Sequence, residues 1–140
     1  MNVWQRHLPL SYKIFMLIAE PRISRLIQFG VYLCMVTAGL YTLFSPPQSF
    51  QDVVDPVFIY IMGVFILSGA LFAAIAVLPG IWWLERVGLI ALVTGISIYA
   101  VIVISLGSSP VGVAVVLAFD LTFALRWRDI RQYQLAPREG

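Results

Sequence analysis

Few side chains in this sequence could carry chemistry, and one of them stands where a charge is costly. Asp120 lies inside the apolar stretch Val111–Leu125. A carboxyl at the centre of a membrane span opposes insertion by about 2.5–3.5 kcal/mol, so its presence asks for a reason. Two readings stand. Asp120 is a protonatable site or the polar lining of a pore, or it is a structural contact: an interhelical hydrogen bond, or a reach toward Arg126 at the membrane edge. Depth matching from the basic ends of the spans places Gln28 or Tyr32, and Thr94, near its level. The other candidates are thin. His7 is the single histidine, in the N-terminal segment, and Cys34 the single cysteine. One His cannot build a His-based metal site, and one Cys makes neither an internal disulfide nor a CxxC pair. Cys34 reads as a small apolar packing residue. No Ser-His-Asp set, HExxH, phosphate-binding glycine loop or pair of intramembrane carboxylates is present. The sequence therefore predicts no enzyme, no metal and no cofactor.

The elements that must position Asp120 follow from composition. The chain has 140 residues, 61% hydrophobic and only 11% charged, against about 25% charged in a soluble domain. That excludes a soluble globule, a disordered chain and a basic nucleic-acid binder. Leu26–Phe44, Val57–Leu78 and Val87–Leu106 are free of charge. Each is long enough as a helix to cross a hydrocarbon core of about 30 Å. Backbone polar groups find no water in lipid, so these runs are helices, and alternating polarity for a β-barrel is absent. Val111–Leu125 is a fourth span despite Asp120, its Val, Leu and Phe residues offsetting the acid. The alternative is a re-entrant or buried helix.

Punctuation is clear. Ser45-Pro46-Pro47 stops span 1, Asp55-Pro56 opens span 2, Leu78-Pro79-Gly80 ends it, and Gly107-Ser108-Ser109-Pro110 separates spans 3 and 4. Tight loops make neighbouring helices antiparallel. The expected fold is an all-α integral membrane protein, a bundle of four antiparallel transmembrane helices (26–44, 57–78, 87–106, 111–125). Residues 1–25 form a cytoplasmic N-terminal segment, too polar for a cleavable signal. Within it, Leu10–Ala19 is apolar but too short to cross. It reads as an interfacial helix with Lys13 in the headgroups, or as a helix packed under the bundle. Residues 126–140 form a basic cytoplasmic tail.

Charge sets the orientation. The net charge is +2, but all nine basic residues fall on one side of the four-span topology. Arg6, Lys13, Arg22 and Arg25 precede span 1, Arg86 lies between spans 2 and 3, and Arg126, Arg128, Arg131 and Arg138 follow span 4. The 1–2 loop carries only Asp52 and Asp55. By the positive-inside rule both termini are cytoplasmic, in the inner membrane. Trp82, Trp83 and Trp127 mark the inner interface, and Tyr41, Phe44, Phe58 and Tyr60 the outer one, as amphipathic rings prefer. Arg86, Arg126 and Arg128 join the Trp residues as interface anchors.

Small residues predict close helix contacts. Gly88, Ala91 and Gly95 share a face of span 3, Gly69 with Ala73 and Ala70 with Ala74 pair on span 2, and Ala114 with Ala118 on span 4. Such faces serve packing within one bundle and between copies alike.

The four-span plan, the turn Pro79-Gly80-Ile81-Trp82-Trp83-Leu84-Glu85-Arg86 and the tail Arg126-Trp127-Arg128-Asp129-Ile130-Arg131 running into Leu135-Ala136-Pro137-Arg138-Glu139 resemble small multi-span membrane proteins of bacteriophages that infect high-GC Gram-positive bacteria, including the holin-like proteins of lysis cassettes. The resemblance spans the whole chain but carries no diagnostic motif. It implies a protein that accumulates in the inner membrane, forms homo-oligomers and permeabilises it for a lytic enzyme. Two other classes stay open: a membrane accessory or superinfection-immunity protein that binds another membrane protein, and a small proton-linked transporter or channel using Asp120. The partners expected are the lipid bilayer, further copies of the chain and another membrane protein, with no nucleic acid.

Overall fold

A computed structural model describes residues 10–17, 22–107 and 109–135. The described residues fold as six helices: α1 (Leu10–Leu17), α2 (Arg22–Phe44), α3 (Gln48–Gln51), α4 (Pro56–Val77), α5 (Trp82–Ser105) and α6 (Pro110–Leu135). Four of them, α2, α4, α5 and α6, are long and apolar enough to cross a membrane. The protein is thus an all-α, multi-pass bundle. His7 and Arg138 lie outside the described residues, as does the end of the helix expected over 10–19. The side chains described in α1, Ser11, Tyr12, Lys13 and Met16, are exposed.

Local chemistry explains the ends. Asp55 caps α4 by accepting from the Val57 N–H at 2.9 Å, with Pro56 at the first helical position, where its missing N–H costs nothing. After α4 the chain turns through Gly80 (φ 78°), whose N–H reaches the Ala76 carbonyl at 3.1 Å. This left-handed conformation is cheap only for glycine. Gly107 (φ 63°) does the same after α5, and Pro110 opens α6. Three boundaries differ from expectation by more than a residue, the first being that α2 begins at Arg22 rather than 26. α5 begins at Trp82 rather than 87, and α6 runs through the expected tail to Leu135. The Trp pair and the Arg126–Arg131 segment extend helices that are already nucleated beside them. The short α3 has no counterpart among the expected elements. It seats Phe50 in the core, edge-on to Tyr99 with ring centroids 5.6 Å apart.

The spans pack in chain order: α2 on α4, α4 on α5, α5 on α6. The α4–α5 contact is the closest. A Cβ built on Gly69 would lie 2.7 Å from the Gly88 carbonyl oxygen, and one on Gly88 would lie 2.7 Å from that of Gly69. Such an approach gives backbone-to-backbone dispersion contact, the main force between helices where lipid is as apolar as the protein. The outer helices α2 and α6 meet only through side chains. Tyr32 stacks on Phe123 at 6.3 Å near the end that carries Arg25, Arg86 and Arg126. Away from that basic end they diverge around an apolar cleft of about 720 Å³, with Cys34, Ala38, Val115 and Phe119 among its walls.

Candidate functional site

The strongest concentration of polar chemistry lies at the basic end, between α2, α5 and α6. Glu85 sits in the first turn of α5, where the free N–H groups of a helix start favour an acid. Only 1% of it is exposed. Arg126 of α6, 8% exposed, donates from Nε to Glu85 Oε1 at 2.8 Å. The Tyr32 hydroxyl of α2, fully buried, donates to the same oxygen at 3.0 Å. One carboxylate therefore ties three helices. A buried acid demands such partners, because an unpaired charge out of water costs several kcal/mol.

Neighbouring groups extend the tie. Arg25 of α2 donates from a terminal guanidinium nitrogen to the carbonyl of Val77 at 2.8 Å. That carbonyl is the last of α4, one of the four that a helix leaves without an internal partner. The Arg86 guanidinium lies 4.3 Å from the centre of the Trp127 ring, within cation–π range. Gln28 Nε2 and Arg25 Nε are buried without hydrogen-bond partners. The cluster balances charge and joins helices. Among the described residues no group of three His, Cys, Asp or Glu could hold a metal ion.

Asp120 lies elsewhere. Its Oδ2 accepts from the Ser97 hydroxyl of α5 at 3.5 Å, the outer limit of a hydrogen bond, and its Oδ1 is buried without a partner. The expected neighbours do not surround it. Tyr32 is committed to Glu85, and Thr94 turns its hydroxyl back to the Ile90 carbonyl at 2.8 Å. The side chain that bonds Asp120 is Ser97, one turn along α5 from Thr94, while the Tyr32 hydroxyl expected near its level bonds Glu85 instead. α2 touches α6 through the Phe123 and Arg126 side of that helix, while Asp120 leans toward α5.

Arg126 is likewise no exposed anchor but a buried ion-pair partner, and Trp127 is half-buried beneath Arg86. Trp82, Trp83 and Arg128 are exposed. Gly69, Ala73, Gly88, Ala91 and Gly95 meet within the α4–α5 contact and its edges. Ala114 and Ala118 are exposed on α6 and face away from the bundle. Glu85 is the residue that the sequence did not single out. As part of a short charged turn it reads as interfacial. The available signal is the apolar Trp82-Trp83 pair upstream of it, which lengthens span 3 and draws Glu85 into the helix.

No family model matches the chain, and no curated protein or solved structure matches it.

Proposed function

We propose that the protein is a non-catalytic, multi-pass protein of the cytoplasmic membrane, with both termini in the cytoplasm, that works in the holin-like manner: it accumulates, assembles with further copies and permeabilises the membrane. The orientation is supported by Arg25, Arg86, Arg126, Arg128 and Arg131 gathering at one end of the bundle and Asp52 and Asp55 at the other. The observation that carries the activity is how little of the outer helices the bundle uses. Only 11% of the apolar window of α2 and 17% of that of α6 is buried, against 44% for α4. The buried polar groups at the basic end hold helices together, so what the protein offers outward is membrane-embedded surface for assembly.

Regulated expression in a bacterium, read with a potential-sensitive dye, tests this. The expected result is an abrupt collapse of membrane potential after the protein has accumulated, and lysis when a peptidoglycan hydrolase is co-expressed. A steady potential at full expression refutes the reading. A peptidoglycan hydrolase encoded beside this chain would support it.

A further inference from the structure

We infer that the basic end of the α5–α6 seam binds the headgroup phosphate of an anionic phospholipid from the leaflet on that side of the membrane. The inference deepens the proposed function by naming a lipid partner, and it rests on that reading's membrane insertion rather than on permeabilisation. At this end of the bundle Arg22, Arg25, Arg86, Arg126, Arg128 and Arg131 stand against only two acids among the described residues, Glu85 and Asp129. Glu85 is already engaged by Arg126 and Tyr32. A clear excess of positive charge therefore faces the membrane surface here.

Three of these guanidiniums gather on one seam. Arg86 of α5 lies 4.3 Å from the centre of the Trp127 ring of α6. Arg131 follows Trp127 by four residues and shares its face of the helix, with Arg128 beside them. Ile130 is only 4% exposed, so α6 is held against the bundle one turn past Arg126, and that anchors the helix on which both arginines stand. Arg128 and Arg131 are exposed, and among the described residues neither has an ion-pair partner.

The seam carries these charges at headgroup depth. On α6 the exposed residues Leu121, Leu125, Arg128 and Gln132 recur at helical spacing, and the stripe changes from aliphatic to polar within one turn, about 5 Å. On α5, antiparallel to α6, Trp83 is exposed three residues before Arg86, which carries its ring toward the level of Arg131. Indoles settle at the membrane interface, and arginine stems lie on apolar surface while the cation stays at its edge. A phospholipid matches both halves of this surface: phosphate meets the guanidiniums and the acyl chains lie along Leu121 and Leu125. A zwitterionic lipid brings a cation with its phosphate, so the charge excess selects a headgroup that is negative overall.

Native mass spectrometry of the purified full chain tests the inference, in nonionic detergent micelles with equal amounts of phosphatidylglycerol and phosphatidylcholine. The chain should retain phosphatidylglycerol over phosphatidylcholine by roughly tenfold, since each arginine contributes up to about fivefold near a charged surface. Arg128→Gln/Arg131→Gln should lose most of that preference. Both side chains are exposed, so this variant should keep the parent's melting temperature. Lys13→Gln, which removes a charge from α1 and not from the seam, should leave the preference unchanged. Equal retention of the two lipids, a double variant that keeps the preference, or an equal loss from Lys13→Gln would each overturn the inference. Displacement of the lipid by excess inorganic phosphate would overturn it too, by making a soluble anion the ligand. Lipid preference in a chain that never depolarises a membrane removes the permeabilising reading and leaves this site. Depolarisation by a chain without the preference does the reverse.

Discussion

Removing one member of the Glu85–Arg126 pair should cost far more than removing both. The pair is short at 2.8 Å, with side chains 9% and 2% exposed for Arg126 and Glu85. Breaking a buried pair on one side typically costs about 3–5 kcal/mol, because the remaining charge is stranded. The two sides are not equal. Arg126 stands near the basic end, and a long side chain freed by Glu85→Gln can swing its head toward water. The new amide oxygen would still accept from Tyr32, so this variant should fall near the lower bound. Arg126→Met leaves an acid that is shorter and 1% exposed, with only the Tyr32 hydroxyl as donor, and should fall near the upper bound. The double variant Glu85→Gln/Arg126→Met strands no charge and should recover most of the loss. Unfolding of the purified protein in mixed micelles by added SDS reads these differences as a double-mutant cycle. Single variants within about 0.5 kcal/mol of the parent, or a double variant as unstable as the sum of the singles, would refute the reasoning that this pair is buried and coupled.

Tyr32→Phe keeps the stack on Phe123 but removes a hydrogen bond to a charged group, and should cost about 1.5–3 kcal/mol in the same assay. Gly69→Ala would place a Cβ 2.6 Å from the Leu92 backbone nitrogen and force α4 from α5, with an expected loss of about 1–3 kcal/mol. Gly30→Ala meets nothing within 4 Å and should be neutral or stabilising by up to about 1 kcal/mol. Equal effects at the two glycines would contradict the packing described. Topology reporters at Gln48 and Ser109 should report export, and those at Arg86 and Gly140 the cytoplasm; an exported reporter at Gly140 means that α6 does not cross. Asp120→Asn should keep abundance and depolarising activity, whereas a fully expressed but inactive variant would favour a titrating, transport-linked role.

The membrane architecture is legible in the sequence because lipid imposes one strong constraint. Uncharged runs of fixed length must be helices, and Pro and Gly mark their ends. The small faces of spans 2 and 3 are legible too, but not that they meet each other: Gly69 packs on Gly88, whereas the same pattern at Ala114 and Ala118 is exposed. The polar site is not legible. Depth matching assumes that side chains at one level meet. Which helices meet depends on rotation about each axis, and that is fixed by packing rather than by position along the run. Tyr32 and Asp120 therefore read as neighbours in one dimension while facing different partners in three. Glu85 is hidden by the opposite error: a residue beside a turn reads as lying in water, although the helix starts before it and folds it inward.

The three-helix tie at Glu85 also orders the biogenesis of the chain. In synthesis, Tyr32 emerges first and Glu85 next, while Arg126 arrives only with the final helix. A nascent chain holding α2, α4 and α5 already has the tight glycine contact, yet its carboxylate lacks the cation that neutralises it. Until α6 is made, Glu85 has Tyr32 as its donor and no cation beside it. The last helix thus completes a charge balance that the helices before it leave open. A chain stopped after Gly107 should be degraded faster than the full chain, and Glu85→Gln should lengthen the lifetime of the truncated chain while leaving it without its fourth span.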